Sequence, residues 1–519
     1  MSGDSIQILI SMGLYLSVVI VIGFYFKERA NKSSDNYFIG GRSLGPWVAA
    51  MSAEASDMSG WLLMGLPGVA YWFGLSDAIW TAIGLAIGTY INWLVVAKRL
   101  RRYSAATNAI TIPEFFSRRF REDKKVILAI SAIFILVFFA VYAGSCFVTF
   151  GKLFSTLFNV NYQLVMFIGA VIVILYTFLG GFLAESASDF LQGMIMIVAL
   201  CSILIVGTVA AGGIPAILEN IKSIPGFFDF FGIAQPQVVE GIQQLDSAGK
   251  PLFGDAGKYG LLTIISTLSW GLGYFGMPQV LLRFMAIKKA SELKKSRRIA
   301  IIWCVISLLA AVAIGLIGRS LYPVEHLTRT DSENIFITMS TRLLPVFLAG
   351  IVMSGILAAT MSSSDSYLLI AASAFARDIY KGIVKKDASD KQIMRITRIT
   401  LLVVSVFGVI IALDENSVIF KVVSFAWAGF GATFGPIMLF SLFWKRTSRA
   451  GAIAGMLTGG GMVFIWKLLL SELGGIFAIY ELFPAFVLSC IAIFAVSLLS
   501  KKPDQAVQDE FERAKMFEC

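Results

Sequence analysis

Apolar residues run along this chain in stretches of about 20, each long enough as a helix to cross ~30 Å of hydrocarbon, and polar residues gather in the intervals between them. The pattern predicts thirteen membrane-spanning helices, at approximately 6–26, 45–71, 75–97, 126–150, 162–184, 189–212, 258–283, 299–320, 341–376, 396–413, 417–443, 450–470 and 476–499. No stretch of ordinary soluble composition is left over, so the fold class is an all-α integral membrane protein. The first apolar stretch is full length. The MSGDSIQ before it carries no basic residue and no small-residue cleavage site follows, so it reads as a span and not as a cleaved leader.

Composition agrees: hydrophobic residues make up 57% of the 519 and charged residues 15%, against ~25% charged in soluble domains. The net charge of +10 is spread in a way that points away from nucleic acid. Nine basic residues fall between Lys98 and Lys125, seven between Arg283 and Arg298, and seven between Arg377 and Arg398. The alternate loops are short or mildly acidic, including 213–257 with Glu219, Asp229, Glu240, Asp246 and Asp255. Positive loops stay inside, so the N-terminus is expected outside the cell membrane and the C-terminus in the cytoplasm. The charged tail 501–519 reads as a solvated helix or a disordered end. Cys146, Cys201, Cys304 and Cys490 lie in apolar runs and Cys519 is terminal, with no disulfide or metal spacing. The single histidine, His326, leaves a histidine zinc site or a catalytic triad without its residues.

Three stretches depart from plain apolar helix: SAEASDMSGWLLMGLPG at 52–68, SWGLGYFGMP at 269–278 and AATMSSSDS at 358–366. Within lipid, a broken helix survives where it is buried in protein or lines a wet cavity, and its freed backbone groups become ligands. The first two lie in spans 2 and 7. That offset of five suggests two five-span units of opposite topology, 45–212 and 258–443. The first span and its loop precede them (1–44), an outer loop joins them (213–257), and spans 12–13 (444–500) and the tail follow. Glycine and proline also occur in membrane helices for packing alone. Asp57 at membrane depth is a functional candidate by cost. Glu54 has three readings open: facing a cavity, paired with a basic residue, or protonated. Glu185 and Asp189, near a span end, read equally as interfacial or functional.

These residues suit sodium, a hard cation that prefers oxygen to thiolate or imidazole. The Ala359 carbonyl and the Ser362 and Ser363 hydroxyls share one helix face. If span 2 unwinds, Ala55 and Met58 add carbonyls, with Asp57 nearby. The alternative for the serines is hydrogen bonding to the preceding turn. Trp270 and Tyr274, four residues apart, together with Tyr142 suggest an aromatic wall. Amides freed near Ser59 and Gly60 suit a carboxylate. Physical chemistry alone reaches a small anionic or zwitterionic solute.

The motifs GGRSLG (40–45), ASDMSGWLLMGLPG (55–68), TFLGGFLA (177–184), WGLGYFGMP (270–278), ILAATMSS (356–363) and SFAWAGFGATFGP (424–436) resemble the sodium:solute symporter family, and within it the bacterial symporters of proline, over residues 6–500. The resemblance implies a leucine-transporter-like core of spans 2–11 with a 5+5 inverted repeat, sodium as the co-transported ion and L-proline as solute. It implies sodium ligands at Ala55, Met58, Ala359, Ser362 and Ser363, with Asp57 essential to sodium dependence, and proline-pocket positions at Ser59, Gly60, Tyr142, Trp270, Tyr274 and Pro278. Arg42 and Asp189 match charged positions implicated in coupling. Ser363 stands where the proline transporters carry threonine. Glu54 stands where they carry a small residue; it adds a charge three residues from Asp57, which makes it a candidate coupling residue, through altered ion affinity or proton coupling. The expected activity is inward symport of sodium and proline, not an enzyme reaction, with membrane lipid as surroundings and no obligatory protein partner. The rivals are the same machinery with another solute (pantothenate, a sugar, a sialic acid) and a transporter-like sensor, which would need a signalling domain beyond the short tail.

Overall fold

The computed structural model describes residues 3–30 and 33–519, and these are nearly all helical. Met1, Ser2, Asn31 and Lys32, within the expected first segment, lie outside the described residues. Among the described residues ten helices are long and apolar enough to cross a membrane: Gly3–Phe26, Leu75–Ala106, Val126–Phe158, Gly181–Ala210, Ala290–Leu321, Val346–Val384, Asp390–Ile411, Ile419–Phe443, Arg449–Leu473 and Leu482–Leu499. Three further expected spans hold shorter apolar helices, Trp61–Phe73, Tyr162–Phe178 and Leu261–Phe275. We keep the ordinal numbers of the expected spans.

Spans 2 and 7 are broken, as the sequence suggests. Span 2 is a helix Pro46–Asp57, a break at Met58 and Ser59, and a second helical part from Trp61 to Phe73. Span 7 tightens into a 3₁₀ stretch over Ser269–Phe275, breaks at Gly276 and Met277, and resumes as Pro278–Ala286. Pro278 opens that second helix, a position where a missing N–H costs nothing.

Spans 5 and 6 differ from expectation. No loop separates them: one residue, Gly181, leaves helical geometry with φ 54° and ψ −168°. A Cβ there would meet the Tyr37 ring at 2.7 Å, so only glycine fits. Glu185 and Asp189 therefore sit inside the helix that follows, both buried, rather than at an interface.

The stretch 358–366 is not a break. It lies within the unbroken helix Val346–Ser373. Thr360 and Ser364 donate to the carbonyls four residues back at 2.7 and 2.6 Å, so hydroxyls that suggested disruption are absorbed by the helix itself.

The 213–257 loop carries two short antiparallel ribbons, Gly232–Ile233 with Gly257–Lys258 and Val238–Val239 with Ile242–Gln243. It packs on the start of span 3: the Leu75 amide donates to the Phe227 carbonyl at 2.7 Å and the Trp80 indole to that of Phe230 at 2.8 Å. The tail is neither disordered nor freely solvated. Its helix Gln505–Met516 buries Phe511 and Val507, pairs Glu510 with Arg121 at 2.9 Å, and lays Phe511 under the Arg119 guanidinium at 4.9 Å.

Candidate functional site

At the break in span 2, Met58 adopts φ −88° and ψ 76°, which turns its carbonyl out of the helical ladder. The Asp57 carbonyl receives the Trp61 indole N–H at 3.3 Å and the Tyr142 hydroxyl at 3.4 Å. Gly60 makes the break fit against span 4, since a Cβ there would lie 2.3 Å from Thr149 Oγ1. One turn earlier, the Ala55 carbonyl accepts the Ser362 hydroxyl at 2.8 Å and the Ser363 hydroxyl at 3.4 Å. Ser362 also donates to Ala359 at 3.2 Å. Four of the five expected ion-ligand residues thus meet in one buried cluster, with Met58 at the break itself. Hydroxyls that donate to a carbonyl here can rotate to present lone pairs to a cation, and neutral oxygens of this kind suit an alkali ion.

The Asp57 carboxylate turns toward span 7. Gln279 donates to its Oδ1 at 3.5 Å, and Tyr274 lies beside it. Asp57 Oδ2, Ser59 Oγ, the Tyr274 and Tyr367 hydroxyls and Gln279 Oε1 are buried and form no hydrogen bond among the described residues. Buried polar atoms are normally satisfied, so this group around one carboxylate fits a polar guest. Tyr142 stacks on Tyr367 with ring centres 4.2 Å apart. Gln279 and Tyr367 were missed by the sequence reading.

Trp270 and Tyr274 do not share a helix face as α spacing suggests. In the 3₁₀ stretch that holds them, four residues turn the chain by about 120° beyond a full turn. Trp427 joins them instead, 6.0 Å from Trp270 and 5.0 Å edge-on to Tyr274. The glycines of this stretch serve packing too: a Cβ on Gly273 would meet the Trp427 indole nitrogen at 2.0 Å.

Glu54 takes none of the basic partners the sequence left open. The Trp93 indole donates to its Oε1 at 3.2 Å, and no basic residue pairs with it among the described residues. Arg42 lies away from the break, donating to the carbonyls of Ser104, Ala109 and Met285 at 3.0, 2.6 and 3.1 Å. It ties the loops after spans 1 and 3 to the end of span 7.

Asp189 belongs to a buried network centred on Arg283, a residue whose charge looked like part of an inner loop. Arg283 is fully buried. Its Nε donates to Ser52 at 2.9 Å, and its Nη2 to Asp189 at 3.2 Å, to Ser366 at 2.8 Å and to Glu185. Ser52 donates to Asp189 at 2.6 Å, and Ser366 to Glu185. One guanidinium, carried by span 7, therefore ties together spans 2, 6 and 9. The signal in the sequence is that apolar residues continue past this cation, from Phe284 to Ala286, and the helix Pro278–Ala286 includes them.

The profile of the sodium:solute symporter family matches residues 37–459. The chain belongs to the sodium:solute symporter family. Sodium is the ion this family co-transports, and the protein is a multi-pass membrane transporter. An osmoregulated proline transporter of Bacillus subtilis is 42% identical over 504 residues, covering 97% of this chain and 96% of that protein. A sodium/proline symporter of Staphylococcus aureus (strain USA300) is 41% identical over 516 residues, covering 98% and 96%. Among solved structures, a substrate-bound, outward-open sodium-coupled sialic acid symporter superposes with a TM-score of 0.74 at 20% identity, covering 96% of this chain and 99% of that one. A nucleobase-cation-symport-1 family transporter, Mhp1, in a closed conformation gives 0.51 at 13%, covering 92% and 98%. The fold is the leucine-transporter-like architecture, as the resemblance implied.

Proposed function

We propose that this chain carries sodium and L-proline inward together by alternating access across a bacterial plasma membrane, with its N-terminus outside and C-terminus inside. The two five-span units, 45–212 and 258–443, form the moving core. Ala55, Met58 and Ala359 supply carbonyls to sodium, Ser362 and Ser363 supply hydroxyls, and Asp57 adds negative charge. Ser59, Gly60, Tyr142, Tyr274 and Pro278 line the proline chamber, and Trp270 closes it. Arg42, Glu54 and Asp189 act in coupling through the packing of spans 2, 3, 6 and 7.

The observation that carries this reading is the contact of the Ala55 carbonyl with the Ser362 hydroxyl at 2.8 Å. It joins the broken helix to the intact span 9 at a cluster of neutral oxygens. An ion held there favours the conformation in which spans 2 and 9 are together. If proline prefers that same conformation, the two affinities are coupled reciprocally. Names of relatives at 41–42% identity over nearly the whole chain support proline as the solute. The test is uptake of labelled proline into proteoliposomes with a sodium, lithium or proton gradient as the sole driving force. A sodium gradient should drive accumulation; uptake indifferent to sodium would refute the reading.

A further inference from the structure

Trp270 also lines a cavity whose walls do not include Asp57, Ser59, Tyr142 or Tyr274. It has a volume of about 540 Å³, within the range of small-ligand sites, and sits at the end of the bundle covered by the 213–257 loop. Asp77, on its wall, accepts the Tyr259 hydroxyl at 2.8 Å and lies one turn from Trp80, which binds that loop. Trp270 forms the floor. Its ring stacks on Tyr480 at 5.0 Å and 22°, meets Phe420 at 5.0 Å, and lies 6.5 Å from Trp61 of the broken second span. One indole therefore stands between this cavity and the break.

Three cations face the cavity: Arg329, Lys421 and Lys467. Lys421 lies in the repelling fields of the other two. Lys467 has a carboxylate partner, Glu481 at 3.8 Å. Arg329 rests 4.8 Å over the Phe73 ring, and among the described residues neither it nor Lys421 forms an ion pair. Like charges gathered around a concave site focus an attractive field on an anion, and the guanidinium fork matches a carboxylate. The cavity also holds Asp77 and Glu481, so both signs are present a short distance from an aromatic floor.

We propose that this cavity is an entry site for a small zwitterion, with its carboxylate at Arg329 and Lys421, its ammonium toward Asp77 or Glu481, and its apolar body on Trp270, Phe420 and Tyr480. The site rests on the reading of the chain as an amino- or imino-acid transporter. It adds a recognition step before the solute passes Trp270, and it selects solutes carrying both charges.

The test is the initial rate of labelled-proline uptake under an inward sodium gradient, with the whole chain in proteoliposomes. The variant R329Q/K421Q should raise the half-saturating proline concentration about tenfold, the size of one lost charge-assisted contact, with the maximal rate kept within about twofold. R329K should recover most of that loss. K421Q alone, an exposed side chain whose removal leaves the fold intact, should give a smaller rise in the same direction. Unchanged half-saturation in both K421Q and the double variant would overturn the site. So would a shift of the wild-type value on replacing chloride by gluconate that the double variant loses, because the cations would then serve an inorganic anion. A wild type that takes up no proline would refute the substrate reading itself, whereas a transporting wild type with indifferent variants would refute the entry site alone.

Discussion

Ser362 Oγ donates to the Ala55 carbonyl at 2.8 Å across 307 positions of sequence. Neither group alone marks an ion site: serines in helices usually bond back one turn, and carbonyls in helices are spent on the ladder. Their meeting depends on the span-2 break three residues beyond Ala55, and on span 9 staying intact so that Ala359, Ser362 and Ser363 share one face.

Ion and solute positions should separate in kinetics. Asp57→Asn is expected to raise the half-saturating sodium concentration at least tenfold, a loss of about 1.4 kcal/mol, while leaving surface expression unchanged. Trp270→Ala is expected to raise half-saturating proline with sodium activation nearly unchanged. Uptake titrations in each ion and solute check both; a sodium response in Asp57→Asn like that of wild type would remove Asp57 from the ion's surroundings.

Gly60 is fixed by space. Gly60→Ala drives a methyl into Thr149, whose nearest atom would lie at 2.3 Å, and overpacking of this kind costs about 1–3 kcal/mol. Gly461→Ala meets nothing within 4 Å and should leave stability within about 0.5 kcal/mol. Thermal unfolding of the two purified variants decides; equal stability would mean that spans 2 and 4 are not packed as described.

Removing the Arg283 charge strands Glu185 and Asp189 in the interior. Arg283→Met should cost about 3–5 kcal/mol, and Glu185→Gln in the same chain should recover part of it. Thermal unfolding of the single and double variants measures the coupling. Additive losses would show that the network is not shared.

A pH effect is expected outside the membrane-spanning segments. Burial pushes the Asp331 carboxyl up, but the hydrogen bond and charge of His326 and the hydrogen bond of Asn334 outweigh it and hold the group below its usual 3.8. A depressed carboxylate contributes stability that is present above the ordinary value and lost as pH falls through the depressed one. Asp331→Asn should therefore melt below wild type at pH 7, and the gap should close as pH drops below 3.8. Melting curves from pH 7 down to about 3 check the sign; a gap that widens on acidification contradicts it.

The breaks were legible because glycine, proline and acids interrupt apolar runs locally, and the shared face of Ala359, Ser362 and Ser363 because those positions recur at helical spacing. The Arg283 network was not, because its members come from spans 2, 6, 7 and 9 and no local pattern pairs them. Local composition also misled: the hydroxyls of 358–366 suggested a break, yet Thr360 and Ser364 are satisfied by their own helix. The tail's charges concealed the apolar stripe of Val507 and Phe511 that docks it. Trp270 and Tyr274 were assigned one face on α spacing, which the 3₁₀ turn removes.

The most direct test of the central claim is equilibrium binding of labelled proline to purified protein as sodium is titrated, in wild type and in Ser362→Ala/Ser363→Ala. If the hydroxyls of span 9 hold the ion against the Ala55 carbonyl, the double variant should need at least about 30-fold more sodium for half-maximal binding, about 2 kcal/mol, yet reach the wild-type proline affinity once sodium saturates. A sodium titration that overlays that of wild type would contradict the account.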